Sequence, residues 1–350
     1  MSVDPISGCL LGTALGDALG LPYEGLSRRR ALRMLGPPDR YRFNFGRGMV
    51  SDDTEHTCMV AQALIASSRD VELFRSDFAK RLRFWLLGMP AGVGLATLRA
   101  AIRLWLGYRP DRSGVFSAGN GPAMRAAILG AAVDDLATLR DLVRASSRIT
   151  HTDPRAEHGA LAIALATRSA RQHEARAPEV FRHEVQSALT GSGDELLKHL
   201  NSVFASIDRR ESTLDFCNSF GLSRGVTGFV CHTVPVAIHA WLSNPADFRA
   251  AVTSVIECGG DTDTTAAIVG GIVGASVGKS GMPKEWIRRF GDWPRTLSWL
   301  EQLAEQLKST ISQAKPMMPI RLFAPTLMLR NFWFVSVVLT HGLRRLLPPY

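Results

Sequence analysis

The sequence predicts an all-α protein, and three observations carry that prediction. Apolar residues recur at spacings of three and four along nearly the whole chain. Alternating β-branched runs are scarce. Clusters of Gly, Pro, Asn and Asp separate one apolar run from the next. With 350 residues and 46% hydrophobic content, the chain can bury a large core, in one big domain or two. No repeat of fixed period is visible.

Taken in order, the first helix spans 6–20 and carries Gly8, Gly12, Gly16 and Gly20 on one face. Glycine inside a helix costs about 1 kcal/mol against alanine. Such repeated use predicts close backbone approach at the centre of the molecule. Asp17 and the short apolar length argue against a membrane dimerisation motif. After the Gly36-Pro37-Pro38-Asp39 turn, helices are expected at 53–67, 71–87 and 93–106, ending at Arg109-Pro110-Asp111. Pro122 suits the first position of a helix at 122–132. Helices at 135–147, 154–172 and 177–190 run to Gly191-Ser192-Gly193. Those at 194–206 and 232–242 end at Asn244-Pro245, and 246–257 follows. The helix at 264–278 repeats the glycine stripe with Gly270, Gly274 and Gly278, and helices at 283–290 and 296–313 come after it.

Two acidic clusters, roughly two hundred positions apart, dominate the chemistry. They are Ser51-Asp52-Asp53-Thr54-Glu55 and Gly260-Asp261-Thr262-Asp263-Thr264, each at the start of an apolar helical run. The simpler use of such residues is capping: Asp52 at a helix start with Glu55 closing a capping box, and Asp261 or Asp263 doing the same. A cap needs one oxygen, however, and each cluster supplies three or more. If the two ends meet, four carboxylates converge. Unit charges at ~4 Å repel by about 4 kcal/mol at an effective dielectric near 20. A shared site for hard cations, Mg²⁺, Mn²⁺ or Ca²⁺, is therefore expected.

Three further segments could hold a ligand. Gly119-Asn120-Gly121 precedes a helix, where backbone N–H groups and the dipole attract phosphate, although Gly-Asn-Gly-Pro is also a common turn. His151 lies at a loop-to-helix junction and could stack on a base or bond a phosphate, or act only as a surface or capping residue. Phe229, in a glycine-punctuated segment, could offer its ring to a base or pack into the core. Glu24 follows the first glycine helix, and spacing alone assigns it no role.

The pieces Gly12-Thr-Ala-Leu-Gly-Asp17-Ala-Leu-Gly20, Glu24, Ser51-Asp-Asp-Thr54, Gly119-Asn-Gly121, Thr150-His151, Gly228-Phe-Val-Cys-His-Thr-Val-Pro235 and Gly260-Asp-Thr-Asp-Thr264, in this order, resemble the ADP-ribosylglycohydrolase family. That resemblance implies an orthogonal multi-helix domain over residues 1–315 with a binuclear Mg²⁺ or Mn²⁺ centre. It carries the metal ligands over to Ser51, Asp52, Asp53, Asp261, Asp263 and Thr264. ADP-ribose binding falls on Gly119, Asn120, Gly121 and His151, with Phe229 as a further candidate. Glu24, Asp52 and Asp53 become the candidate acid–base groups. Ser51 stands where the family often has threonine, and keeps the hydroxyl. Some arginine-specific members have an aspartate shortly before the glycine segment, where this chain has Ser117 and Ala118. The implied reaction is hydrolysis of the bond between ADP-ribose and a modified acceptor, most simply a protein side chain, with arginine ahead of serine. Two other readings stay open: a non-catalytic ADP-ribose-binding module, and a Mg²⁺-dependent prenyl diphosphate enzyme with Asp-rich helix segments.

Residues 316–350 fall outside the resemblance. They hold Arg321, Arg330, Arg344 and Arg345 and no acidic residue. Pro316, Pro319 and Pro325 interrupt the start, and a helix is expected from Leu327 to Leu347. This basic, amphipathic tail either packs against protein or lies on an anionic membrane surface, its apolar run being too short to span. The net charge of +9 and pI near 9.7 permit acidic partners but come with no nucleic-acid-binding signature. Five scattered cysteines fit a reducing compartment, and no signal peptide is evident, so a cytoplasmic location is expected.

Overall fold

The structure, a computed structural model, describes residues 4–173 and 177–348. It is helical throughout, with eighteen α-helices and only isolated β-bridges among the described residues. In chain order these are α1 (Pro5–Gly20), α2 (Arg28–Leu35), α3 (Asp52–Ser67), α4 (Val71–Trp85), α5 (Leu95–Trp105), α6 (Gly121–Met124), α7 (Ala127–Ala132), α8 (Leu136–Arg148) and α9 (Pro154–His173). The second half holds α10 (Ala177–Leu189), α11 (Asp194–Asp208), α12 (Thr213–Ser219), α13 (Val230–Ser243), α14 (Phe248–Cys258), α15 (Thr262–Val277), α16 (Lys284–Arg289), α17 (Leu297–Gln313) and α18 (Ala324–Arg344).

The glycine stripes meet. A Cβ placed on Gly12 would lie 2.0 Å from the carbonyl oxygen of Gly270, and one on Gly8 would lie 2.1 Å from that of Gly274. The same closeness links Gly16 to Ala266 and Gly20 to Thr262, so α1 and α15 run antiparallel, backbone against backbone. Both are buried almost end to end. This register has a functional consequence. It sets the C-terminus of α1, and Glu24 just beyond it, beside the first turn of α15.

Around this pair the remaining helices build one large core, with α3, α7, α9, α13, α14 and α17 nearest. A smaller satellite core of Leu21, Phe43, Met49 and Phe334 seats α18. The five cysteines are buried and unpaired.

Three elements differ from expectation. The short polar α2 buries only Ala31, so its arginine-rich sequence gives no apolar stripe to read. The single helix expected at 122–132 is split into α6 and α7, with the wholly buried Arg125 at the break. α12 is a seven-residue helix started by Ser212, whose hydroxyl accepts from the amide of Asp215 at 3.1 Å.

Candidate active site

The first turn of α3 is fixed from another helix. Asp17, buried on α1, accepts the backbone N–H of Ser51 on both carboxylate oxygens at 3.0 Å and that of Thr54 at 3.2 Å. The Thr54 hydroxyl donates to it at 2.5 Å. A helix start leaves such amides without partners, and a carboxylate there also meets the positive end of the dipole. Burial raises the Asp17 pKa to about 7 despite these hydrogen bonds. The cap proper is Ser51, whose hydroxyl accepts from the Asp53 amide at 3.3 Å.

The capping box does not form. Asp52 is the first helical residue rather than the cap, and Glu55 turns away from the helix start. Glu55 pairs with Arg295 at 2.8 Å and accepts from the Trp85 indole at 2.5 Å. In α15, Asp261 occupies the cap position but makes no side-chain cap bond, and Asp263 lies inside the first turn. Capping thus leaves the carboxylates of Asp52, Asp53, Asp261 and Asp263 unexplained.

These four carboxylates line one cleft of about 310 Å³. The clusters touch directly, the Thr264 hydroxyl donating to Asp53 Oδ2 at 3.2 Å. Ser51 donates to the same oxygen at 3.0 Å. The other oxygen of Asp53 and one oxygen of Asp263 are buried with no hydrogen-bond partner. Burial is the first cause raising the Asp52, Asp53 and Asp263 carboxyls well above the ordinary range. Neighbouring charges add to it, Glu55 and then Asp17 on Asp52, Asp17 and then Asp52 on Asp53, and Glu24 and then Asp53 on Asp263. Glu24 is exposed as a residue yet lines the cleft, where loss of water and then the charge of Asp261 raise its pKa. Among the described residues, no three His, Cys, Asp or Glu side chains are gathered tightly enough to hold an ion by themselves. Any ion would therefore draw also on the hydroxyls of Ser51 and Thr264. The two unpartnered buried carboxylate oxygens fit a cation.

The glycine segment forms another part of the wall. The side-chain amide of Asn120 donates to Asp261 Oδ2 at 2.6 Å and to the Thr233 hydroxyl at 3.0 Å. Its backbone N–H donates to the carbonyl of Gly228 at 3.0 Å. Gly119 and Gly121 lie against the His151 ring, where a Cβ on either would sit 2.9 Å from a ring atom. His151 is held from behind by a polar relay that its sequence position did not reveal. Arg125 donates to the Thr150 hydroxyl at 2.7 Å, and that hydroxyl meets His151 Nδ1 at 2.8 Å. The same hydroxyl lies 3.4 Å from the Ser147 carbonyl oxygen. Burial, reinforced by the Arg125 charge, lowers the His151 pKa to about 3, so the ring is neutral. Arg125 also contacts His56 at 3.2 Å and lies over the Phe78 ring.

The structure therefore brings Glu24, Asp52, Asp53, Gly119, Asn120, Gly121, His151, Asp261, Asp263 and Thr264 to one cleft, with Ser51 immediately behind Asp53. The Phe229 side chain does not line it. Gly228 does, while the Phe229 ring is half-buried between the Arg155 guanidinium, 5.5 Å away, and the edge of His232. Sequence reasoning did not find the organising roles of Asp17 and Arg125. The signal for Asp17 was a charge set on an otherwise apolar glycine helix.

Comparison with known proteins identifies the family and the fold. The family model for ADP-ribosylglycohydrolase matches residues 3–316. An uncharacterized protein from Archaeoglobus fulgidus is 30% identical over 317 residues, covering 85% of this chain and 94% of its own. The ADP-ribosyl-[dinitrogen reductase] glycohydrolase of Rhodospirillum rubrum is 25% identical, covering 82% of this chain and 90% of its own. ADP-ribosylhydrolase ARH3 of Gallus gallus is 28% identical, with 80% and 87% covered. A solved structure described as an ADP-ribosylglycohydrolase-related protein complex shares the fold, with a TM-score of 0.64 at 24% identity over 88% of this chain and 98% of that one. With the match running over nearly its whole length and the acidic helix starts facing each other across one cleft, the chain belongs to the ADP-ribosylglycohydrolase family of glycosidic-bond hydrolases.

Proposed function

We propose that this cleft hydrolyses the bond between C1″ of the distal ribose of ADP-ribose and a modified acceptor, reversing mono-ADP-ribosylation. The acceptor is a protein side chain, arginine ahead of serine, and free ADP-ribose is a product. The observation that carries the reading is the convergence of five cleft carboxylates, Glu24, Asp52, Asp53, Asp261 and Asp263, with the Gly119–Gly121 segment and His151. Family membership sets aside the prenyl diphosphate reading.

Two Mg²⁺ or Mn²⁺ ions would be held by Ser51, Asp52, Asp53, Asp261, Asp263 and Thr264. Bound there, they would supply positive charge that orients the ribose hydroxyls and acidifies water. The rest falls to the chain. Cleavage of the glycosidic bond develops oxocarbenium character, which nearby carboxylates stabilise. Glu24, Asp52 and Asp53 are the acid–base candidates, and burial raises the carboxyl of Glu24, which is not among the ion ligands, above its ordinary range. Asn120 couples the glycine segment to Asp261, so a diphosphate lying on the Gly119 and Gly121 backbone is held in register with the acidic centre. The neutral His151, with its proton on Nε2, would donate to an oxygen of the ligand.

The test is release of ADP-ribose from arginine-, serine- and nucleic-acid-linked substrates in the presence of Mg²⁺, with chelation stopping it. Calorimetric titration of Mn²⁺ into Asp52→Ala and Asp263→Ala should show binding lost in both. Release from none of the substrates, with ADP-ribose still bound, would favour the non-catalytic module. Unchanged Mn²⁺ affinity and stoichiometry in both variants would refute the shared site.

A second proposal concerns location. No helix among the described residues is long and apolar enough to cross a membrane. Yet α18 turns Leu329, Phe332, Trp333, Leu339 and Leu343 outward, beside Phe45, which is 93% exposed. Arg344 flanks the same surface, and Arg321 is exposed just before α18. Apolar area beside basic groups suits an anionic lipid surface. Flotation with anionic vesicles should carry the full chain upward, and Leu329→Glu with Leu343→Glu should abolish it. A wild-type chain that stays in the dense fraction refutes the attachment.

A further inference from the structure

The C-terminal helix lies beyond the segment that the family model matches. Its inner face nevertheless reaches the backbone carrying the first acidic cluster. Arg330 is 2% exposed. Its Nη2 donates to the carbonyl of Val50 at 2.5 Å and to Asp292 Oδ2 at 2.6 Å. Asp292 Oδ2 in turn accepts the N–H of Val50 at 3.0 Å. Both backbone groups of the residue immediately before Ser51 are therefore held by one Arg330–Asp292 pair. The other guanidinium nitrogen lies 3.5 Å from Glu55 Oε1, one turn into α3. Further along α18, His341 and Arg345 both donate to the carbonyl of Pro22, at 2.9 and 3.3 Å, two residues before Glu24.

We infer that α18 is a strap built onto the family domain, and that Arg330 is a positioning residue for Ser51-Asp52-Asp53. The inference rests on the reading of the acidic cleft given above. Its physical content is a matter of freedom. Asp17 fixes the amides of Ser51 and Thr54 from one side of the α3 start. Arg330 and Asp292 fix Val50 from the other. With both in place, the segment leading into Asp52 and Asp53 has little room to swing. Arginine suits the position because its planar fork reaches a carbonyl and two carboxylates at once, which a lysine ammonium cannot do in the same geometry.

The test uses the full chain with Arg330→Lys, which keeps the charge and loses the fork, and Phe334→Ala, one turn along the same helix. Phe334 packs in the satellite core with Leu21, Phe43 and Met49, and its ring lies 4.4 Å from the Arg330 guanidinium, so its loss removes packing and stacking while leaving the arginine fork to bond Val50 and Asp292. Amide hydrogen exchange of the 48–56 segment is the primary readout, because it requires neither metal nor substrate. Arg330→Lys should speed exchange there at least tenfold and weaken Mn²⁺ binding about tenfold. It should lower kcat for ADP-ribose release more than it raises KM. Phe334→Ala should lower the melting temperature while Mn²⁺ affinity stays within twofold of wild type. If exchange at 48–56 in Arg330→Lys matches wild type, or rises no more than in Phe334→Ala, the positioning role is wrong. If wild type itself neither binds Mn²⁺ nor releases ADP-ribose, the reading of the cleft fails, and exchange still decides the strap.

Discussion

The contact between α1 and α15 makes a prediction whose sign runs against helix propensity. In an exposed helix, Gly→Ala is stabilising by about 1 kcal/mol. At Gly12 the added Cβ would sit 2.0 Å from the Gly270 carbonyl oxygen, 2.8 Å from its carbon and 3.1 Å from Gly274 Cα. The first of these is roughly 1.5 Å short of an ordinary non-bonded separation. All three neighbours are backbone, so no rotamer change can relieve them. Overpacking a core typically costs about 1–3 kcal/mol where side chains can adjust, and here the upper end applies. The net effect expected for Gly12→Ala, after the propensity gain, is a loss of about 2 kcal/mol. By the roughly 2–4 °C per kcal/mol typical of somewhat smaller domains, the melting temperature falls by roughly 4–8 °C. Gly342, in α18, is the control, because a Cβ there meets nothing within 4 Å. Gly342→Ala should be neutral or stabilising by up to about 1 kcal/mol. Urea denaturation of both variants with matched m-values decides the matter. A Gly12→Ala variant as stable as wild type would mean that the two helices do not meet backbone to backbone. The register that sets Glu24 beside Asp263 would then be wrong.

Other expectations follow from the same geometry. His239 is buried among Ser206, Thr213 and Ser243 with its ring stacked on Phe216, and burial lowers its pKa to about 4. The unfolded chain, with an ordinary value near 6.5, binds the proton first, so stability is full above pH ~6.5 and falls as pH drops towards about 4, by roughly 3 kcal/mol from this group. His239→Gln should flatten that slope in pH-dependent unfolding, and an unchanged slope would contradict the assignment. Asn120→Ala removes the link from the glycine segment to Asp261 and should cut kcat/KM for ADP-ribose release about tenfold or more, with a stability loss near 1 kcal/mol. Thr150→Val breaks the relay from Arg125 to His151 and should raise KM more than it lowers kcat; equal binding of ADP-ribose by calorimetry would show that His151 needs no such support.

How much of this could be read from the residues depends on the range of the force involved. Helix positions follow from local periodicity, and long apolar runs such as those of α3, α9 and α17 were legible for that reason. The polar α2 and the seven-residue α12 were not, because one presents no stripe and the other is too short to show a period. The glycine stripes were legible as a packing device, since a repeated cost of about 1 kcal/mol per residue must be offset by some contact. Their register was not, because spacing of four fits several alignments. The acidic clusters announced themselves by excess over what a cap needs. Asp17, Arg125 and Arg330 did not, because a single charged residue in an apolar helix reads as an accident until its partners are known. Even so, part of the answer was implicit. A carboxylate at the centre of a buried helix must find donors, and the densest supply of unpaired donors in an all-α chain is the first turn of another helix. Asp17 with the start of α3 is that solution, and it needs the α1–α15 contact to bury it. The stripe that excludes side chains and the one charge set among them are thus parts of one arrangement. The first brings α15 and Glu24 together, and the second anchors Asp52 and Asp53 against them.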